Sequence, residues 1–261
     1  MVNIVAITSK EFSDKRWHRF KLMKFAANDT VAPLSAHEAS RAILSMPVGF
    51  IQKAGQFSLV ALQGLESDHN LFVNQSGRWR GGYIPHHYFC YPFQMRKSTD
   101  GKLVLCIDQE SELLSSKDDE LAEEFFDEAG APKKLVTDVA EFLSSHIVQL
   151  ESTAKTCQLL AEHRLIKPWP LQVETSKGGI ALEALYCIDE ERLNSLSATA
   201  LKELRNGDAL SLAYAQLFSM LNVHLLVKQL DNSGQDESSA ALSEISFESF
   251  DSDGTINFDN L

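Results

Sequence analysis

Between Lys134 and Arg164, the residues Val139, Phe142, His146, Leu150, Ala154, Cys157 and Ala161 recur at three- and four-residue steps. That spacing lays one apolar stripe along a helix of 3.6 residues per turn. Such a helix, about 46 Å long at 1.5 Å per residue, cannot bury its stripe alone. It needs a sheet to lie across or an interface to scaffold. The residues before it supply a sheet. Residues 57–62 and 103–108 are apolar runs of strand length, and 2–7 and 70–74 predict shorter strands. Ser76-Gly77 and Asp100-Gly101 mark turns between them. Ser35 with Glu38 three residues on is a capping box, opening a helix over 35–45 that Pro47 ends. After the long helix, which Pro168 stops, residues 171–174 and 180–188 predict a hairpin through Gly178-Gly179. Helices over 190–205 and 210–230 follow, with Gly207 at a C-cap. The expected fold class is α+β: a mostly antiparallel sheet packed with a long helix and a C-terminal helical part, in one domain over residues 1–230.

The net charge of -12 is unevenly placed. Eight acids and no Lys or Arg lie between Asp231 and Leu261, and removing those eight leaves -4 on the rest. A mildly acidic body does not attract nucleic acid. Residues 231–261 predict an acidic, disordered tail, because one-signed charge and low hydropathy do not repay the cost of ordering a backbone. Phe247, Phe250 and Phe258 stand among its acids, with Asp251 and Asp253 beside them. Interleaved acids and aromatics suit a segment that orders on a protein partner. The segment also echoes half a calcium loop, but Asn260 stands where a bidentate Glu is needed.

Cys90, Cys106, Cys157 and Cys187 are widely spaced, which predicts reduced core thiols. The N-terminal apolar run is too short for a secretory signal, and no window reads as a membrane span. The expectation is a cytoplasmic protein, either monomeric or self-associating.

No catalytic spacing stands out. His86 and His87, near His69 and Cys90, form the densest group of metal-ligand types. Adjacent histidines diverge on either a strand or a helix, so no metal and no cofactor is assigned. Gly77-Arg78-Trp79-Arg80-Gly81-Gly82 fits no phosphate-loop motif, although Arg78 and Arg80 could contact an anion. The candidate ligand-binding residues are Arg78, Trp79, Arg80, Tyr83, His86, His87 and Tyr91. The aromatics among them, with Tyr88 and Phe93, read equally as the domain's core. The basic stretch Lys15-Arg16-Trp17-His18-Arg19-Phe20 either pairs with acids of the body or docks the tail. The acids at 118–120 and 123–124 read as a solvated face.

Several segments in fixed order resemble the SapC family of bacterial proteins. They include Lys15-Arg16-Trp17, Pro47-Val48-Gly49-Phe50, Asn70-Leu71-Phe72-Val73, Gly81-Gly82-Tyr83-Ile84-Pro85, Tyr91-Pro92-Phe93, Leu105-Cys106-Ile107-Asp108 and Tyr214-Ala215-Gln216-Leu217. The resemblance spans about 15–226. It implies a link to surface-layer protein production and genomic company with TonB-dependent receptors, flavin-dependent halogenase-like proteins and cupin- or JmjC-like proteins. It supplies no catalytic residues, and His86-His87 departs from the expected pattern. Two functions follow: a non-enzymatic accessory or binding protein, or an enzyme whose site around His86, His87, Arg78 or Asp108 is assembled by the fold.

Overall fold

The computed structural model describes residues 3–176 and 178–232. The expectations for Phe247, Phe250, Asp251, Asp253 and Phe258 lie outside the described residues. In chain order, β1 (Ile4–Ala6), α1 (Ser9–Phe12), β2 (Lys15–Trp17) and β3 (Val31–Pro33) lead to α2 (Ala36–Ala42) and the hairpin β4 (Val48–Lys53) and β5 (Gln56–Leu62). A long stretch of turns follows, with a 3-10 turn at His86–Tyr88. Then come β6 (Phe93–Lys97), β7 (Leu103–Asp108), β8 (Leu114–Ser116), β9 (Glu123–Glu124), α3 (Lys134–Glu162) and β10 (Ile166–Pro168). The C-terminal part comprises β11 (Leu171–Thr175), β12 (Gly178–Leu182), β13 (Leu185–Ile188), α4 (Glu190–Asn194), α5 (Ala198–Asn206), α6 (Ala209–Ser219) and α7 (Val223–Asp231).

The central sheet is antiparallel, in the order β10-β13-β4-β5-β3. Its hairpin turns on Ala54 (φ 50°) and Gly55 (φ 81°), two residues between the paired Lys53 and Gln56. Positive φ at both positions matches the twist of the flanking strands. Smaller sheets pair β7 with β1 and β6, and β2 with β8 and β9. The α3 helix packs on β5, β6, α2 and α6, which makes it the brace the sequence calls for. Phe50, Phe72, Phe125, Leu160 and Leu165 are fully buried between these layers. Each contributes about 1.5–3 kcal/mol on burial.

The α+β class and the long helix are as expected; several boundaries differ. Residues 70–74 form turns rather than a strand. Asn70 is buried, its side chain donates to Ala26 O (2.9 Å) and accepts from Phe72 N–H (3.0 Å), and this local bonding competes with a ladder. The long helix ends at Glu162, where Arg164 turns left-handed (φ 55°), and Pro168 lies on the edge strand β10. The run 180–188 breaks at Ala184 (φ 64°): β12 closes the hairpin with β11, whereas β13 joins the central sheet. Ser197 caps a new helix inside 190–205, and a 3-10 turn at Met220–Asn222 divides 210–230. Gly207 is a C-cap at φ -99°, and it is Asp208 that is left-handed. The space beside it is tight instead: a Cβ there would lie 2.5 Å from Leu159 Cδ2, and that side chain would have to turn aside.

Two polar side chains on α6 join it to the sheet. Ser219 Oγ accepts from Val48 N–H (2.9 Å), Gln216 Nε2 donates to Val48 O (3.1 Å), and Gln216 Oε1 accepts from Ile188 N–H (2.8 Å).

Candidate functional site

Glu38 sits at the third position of α2, where its Oε2 accepts from Ser35 N–H (3.0 Å) and Ser35 Oγ–H (2.9 Å), the expected capping box. The helix turns the other oxygen inward. Glu38 Oε1 accepts from the Tyr83 hydroxyl (2.8 Å) and from His86 N–H (2.8 Å), so one carboxylate anchors both α2 and the 3-10 turn. His146, on the buried stripe of α3, brings Nδ1 to 3.8 Å from Oε2, and His86 Nδ1 lies 3.8 Å from Oε1. Phe142 stacks along His146 and meets His86 edge-on (5.5 Å), which walls the group with aromatic rings. One ligand atom from each of Glu38, His86 and His146 lies within 4.8 Å of the others.

The electrostatics follow from burial. Desolvation lowers the pKa of His86 and of His146, and the Glu38 carboxylate opposes this in both. The balance keeps both imidazoles neutral near pH 7. Burial, reinforced by Glu38, raises the Tyr83 phenol well above its usual range. The group thus holds one buried carboxylate, two neutral imidazoles and a protonated phenol.

The expected ligand-binding residues part company. Tyr83 and His86 join this group, whereas His87 points to solvent from the same 3-10 turn. Trp79 is core: it stacks on Phe72 (5.3 Å) and donates its indole N–H to Tyr83 O (2.9 Å). Tyr88 and Phe93 are buried as well, and Tyr91 stacks on Phe25 at 3.9 Å. Arg78 is exposed on a turn that Asn74 Oδ1 closes by accepting from Arg78 N–H (2.8 Å). His69 lies beside Glu66 (3.7 Å), and Asp108 accepts from Asn3 N–H (3.1 Å). The basic stretch 15–20 pairs with body acids: Arg16 with Glu124 (3.0 Å), His18 with Asp119 (2.7 Å) and Arg19 with Glu123 (4.0 Å). Those acids therefore face partners rather than water alone. The four cysteines are free and buried.

Two members of the group escaped sequence reasoning. Glu38 reads as a cap and His146 as one more position on an apolar stripe. An ionisable residue within that stripe was the available signal.

A second feature lies beyond Arg80. A groove of about 400 Å³ is lined by Leu44, Phe72, Arg80, Gly81, Leu225, Lys228 and Asn232. Leu44 (79% exposed), Phe218 (64%) and Leu221 (75%) lie open, with Tyr214 stacked on Phe218. Ala209–Asp231 is long and apolar enough to cross a membrane by length and composition, although Leu212, Leu226 and Leu230 are packed into the body.

No curated protein and no solved structure matches the chain. The SapC family profile matches residues 7–226, which hold the Glu38 group and all of the central sheet, and the chain belongs to the SapC family.

Proposed function

We propose that this SapC-family chain is a non-enzymatic, cytoplasmic binding protein that reaches a protein partner through its acidic C-terminal segment, and that the α6–α7 face receives that segment in the free protein. The biological settings are those the family resemblance suggests: surface-protein production, TonB-linked uptake or peptide modification. One observation carries the reading. Asn232, the last described residue, itself lines the groove, together with Lys228 and Arg80. Tyr214, Phe218, Leu221, Leu225, Lys228 and Asn232 follow at four- and three-residue steps along α6, the 3-10 turn and α7. Exposed apolar side chains ending in positive charge complement a segment of aromatics among acids.

Hydrogen exchange on the full chain tests this against the variant Phe247→Ala/Phe250→Ala/Phe258→Ala. Docking predicts faster exchange at 223–232 and 80–83 in the variant. Equal exchange would refute it. Protection of that face only on adding anionic vesicles would make it a membrane surface instead. Pull-downs from wild type and the triple variant then identify the partner, and identical partner lists would remove the segment from the reading.

The Glu38–His86–His146 grouping favours a second reading, an enzyme with a fold-assembled site. Of the residues proposed for it from sequence, His86 alone belongs to that grouping.

A further inference from the structure

We propose that Glu38, His86 and His146 form a binding site for a divalent first-row transition ion. The three residues come from α2, the 3-10 turn and α3, and are 48 and 60 positions apart in the chain. Imidazole and carboxylate ligands at about 2.0–2.2 Å from such an ion stand roughly 3.0–3.6 Å from one another. The observed nitrogen-to-oxygen distances of 3.8 Å run to different oxygens, from His86 Nδ1 to Oε1 and from His146 Nδ1 to Oε2, and one ligand atom from each residue lies within 4.8 Å of the others. Side-chain rotation must draw the three ligand atoms together for one ion to reach them all.

The second observation is His146 itself. It is 5% exposed, and both its ring nitrogens lack a hydrogen-bond partner. A buried imidazole with neither nitrogen satisfied loses the full cost of desolvating them. An ion between His146 and Glu38 removes that cost at one nitrogen. Nitrogen ligands with a single carboxylate suit Zn2+, Co2+, Ni2+ or Fe2+ better than Mg2+ or Ca2+. Three protein ligands leave coordination positions for water or an exogenous ligand.

One feature opposes binding and makes the proposal specific. Glu38 already accepts four hydrogen bonds, two at each oxygen, which fills its lone-pair positions. An ion must displace one donor. The Tyr83 hydroxyl is the one free to rotate, since two of the others are backbone N–H groups and Ser35 belongs to the helix cap.

The test is Co2+ titration of the tag-free, full-length chain after chelator dialysis, read by visible d–d absorption, with Zn2+ as competitor. The expected result is one Co2+ per chain, displaced by Zn2+. His146→Ala and His86→Ala should each weaken binding by at least about tenfold, with unchanged circular dichroism. His146→Gln replaces His146→Ala if the latter does not fold. Tyr83→Phe, which removes the competing donor, should bind as tightly as wild type or tighter. Absence of saturable binding, binding unaffected by both histidine variants, or tenfold weaker binding in Tyr83→Phe would each overturn the site.

Discussion

Replacing Glu38 should cost far more than its place on a short helix suggests. Glu38→Ala removes the acceptor for Ser35 N–H, Tyr83 O–H and His86 N–H together. Loss of the cap alone costs about 1 kcal/mol. Leaving two further donors without an acceptor adds about 1–3 kcal/mol each, softened at Tyr83, which is only half-buried and can reach water. The sum is about 3–5 kcal/mol, on the order of a third of the stability of an ordinary domain. Glu38→Gln discriminates the causes. Its oxygen serves one pair of donors, and its amide must face the other pair, in each of which a hydroxyl can turn to accept but an N–H cannot. One buried N–H is stranded, for about 1–3 kcal/mol. Urea unfolding with a chelator present, followed by far-UV circular dichroism, measures both. Thermal midpoints should fall by roughly 10–15 °C for Ala and less than half of that for Gln. A Glu38→Ala cost under 1 kcal/mol, or equal costs for the two variants, would refute the claim that this carboxylate organises the group.

Stability should also fall in mild acid. His86 and His146 have pKa values below the usual 6.5 in the fold, chiefly from burial, so below pH 6.5 the unfolded chain binds more protons. The stabilisation is intact above pH 6.5 and is lost as pH falls toward the folded values, by up to about 1.4 kcal/mol per pH unit for each histidine. Urea midpoints between pH 7 and 5 check this, and His146→Leu should have the shallower slope; matching slopes would count against it. Cys90 and Cys157 are buried, which pushes their pKa up to about 12. Iodoacetamide at pH 8 should leave both unmodified in the native chain and alkylate them in urea, as read by mass spectrometry; native labelling of Cys157 would contradict its burial.

Elements governed by local rules were legible in the sequence. The capping box at Ser35 and Glu38, the stripe of α3 and the apolar run of β7 each depend on neighbours within a few positions. Boundaries set by tertiary partners were not. Ala184 ends a run that reads as continuous because the next strand is needed beside β4, and Asn70 is drawn into a turn by Ala26, far back in the chain. The Glu38 group was invisible for the same reason. Its members belong to separate elements, and the histidine that matters on α3 looks like a lapse in an apolar pattern. His86-His87 attracted attention as a pair, yet the tight turn that carries them sends one inward and the other to water.

The bonds between α6 and β4 bear on how this chain is made. Val48 opens β4, the middle strand of the central sheet, and its backbone N–H and C=O are met by Ser219 and Gln216, 171 and 168 positions later. A nascent chain therefore carries β4 with those groups unanswered until nearly all of the family-matched region has left the ribosome. The early hairpin can form and re-form during synthesis, but Val48 gains these partners only when α6 arrives. A ribosome stalled short of Ser219 would hold a protease-sensitive β4, and release of a few dozen further residues would protect that strand.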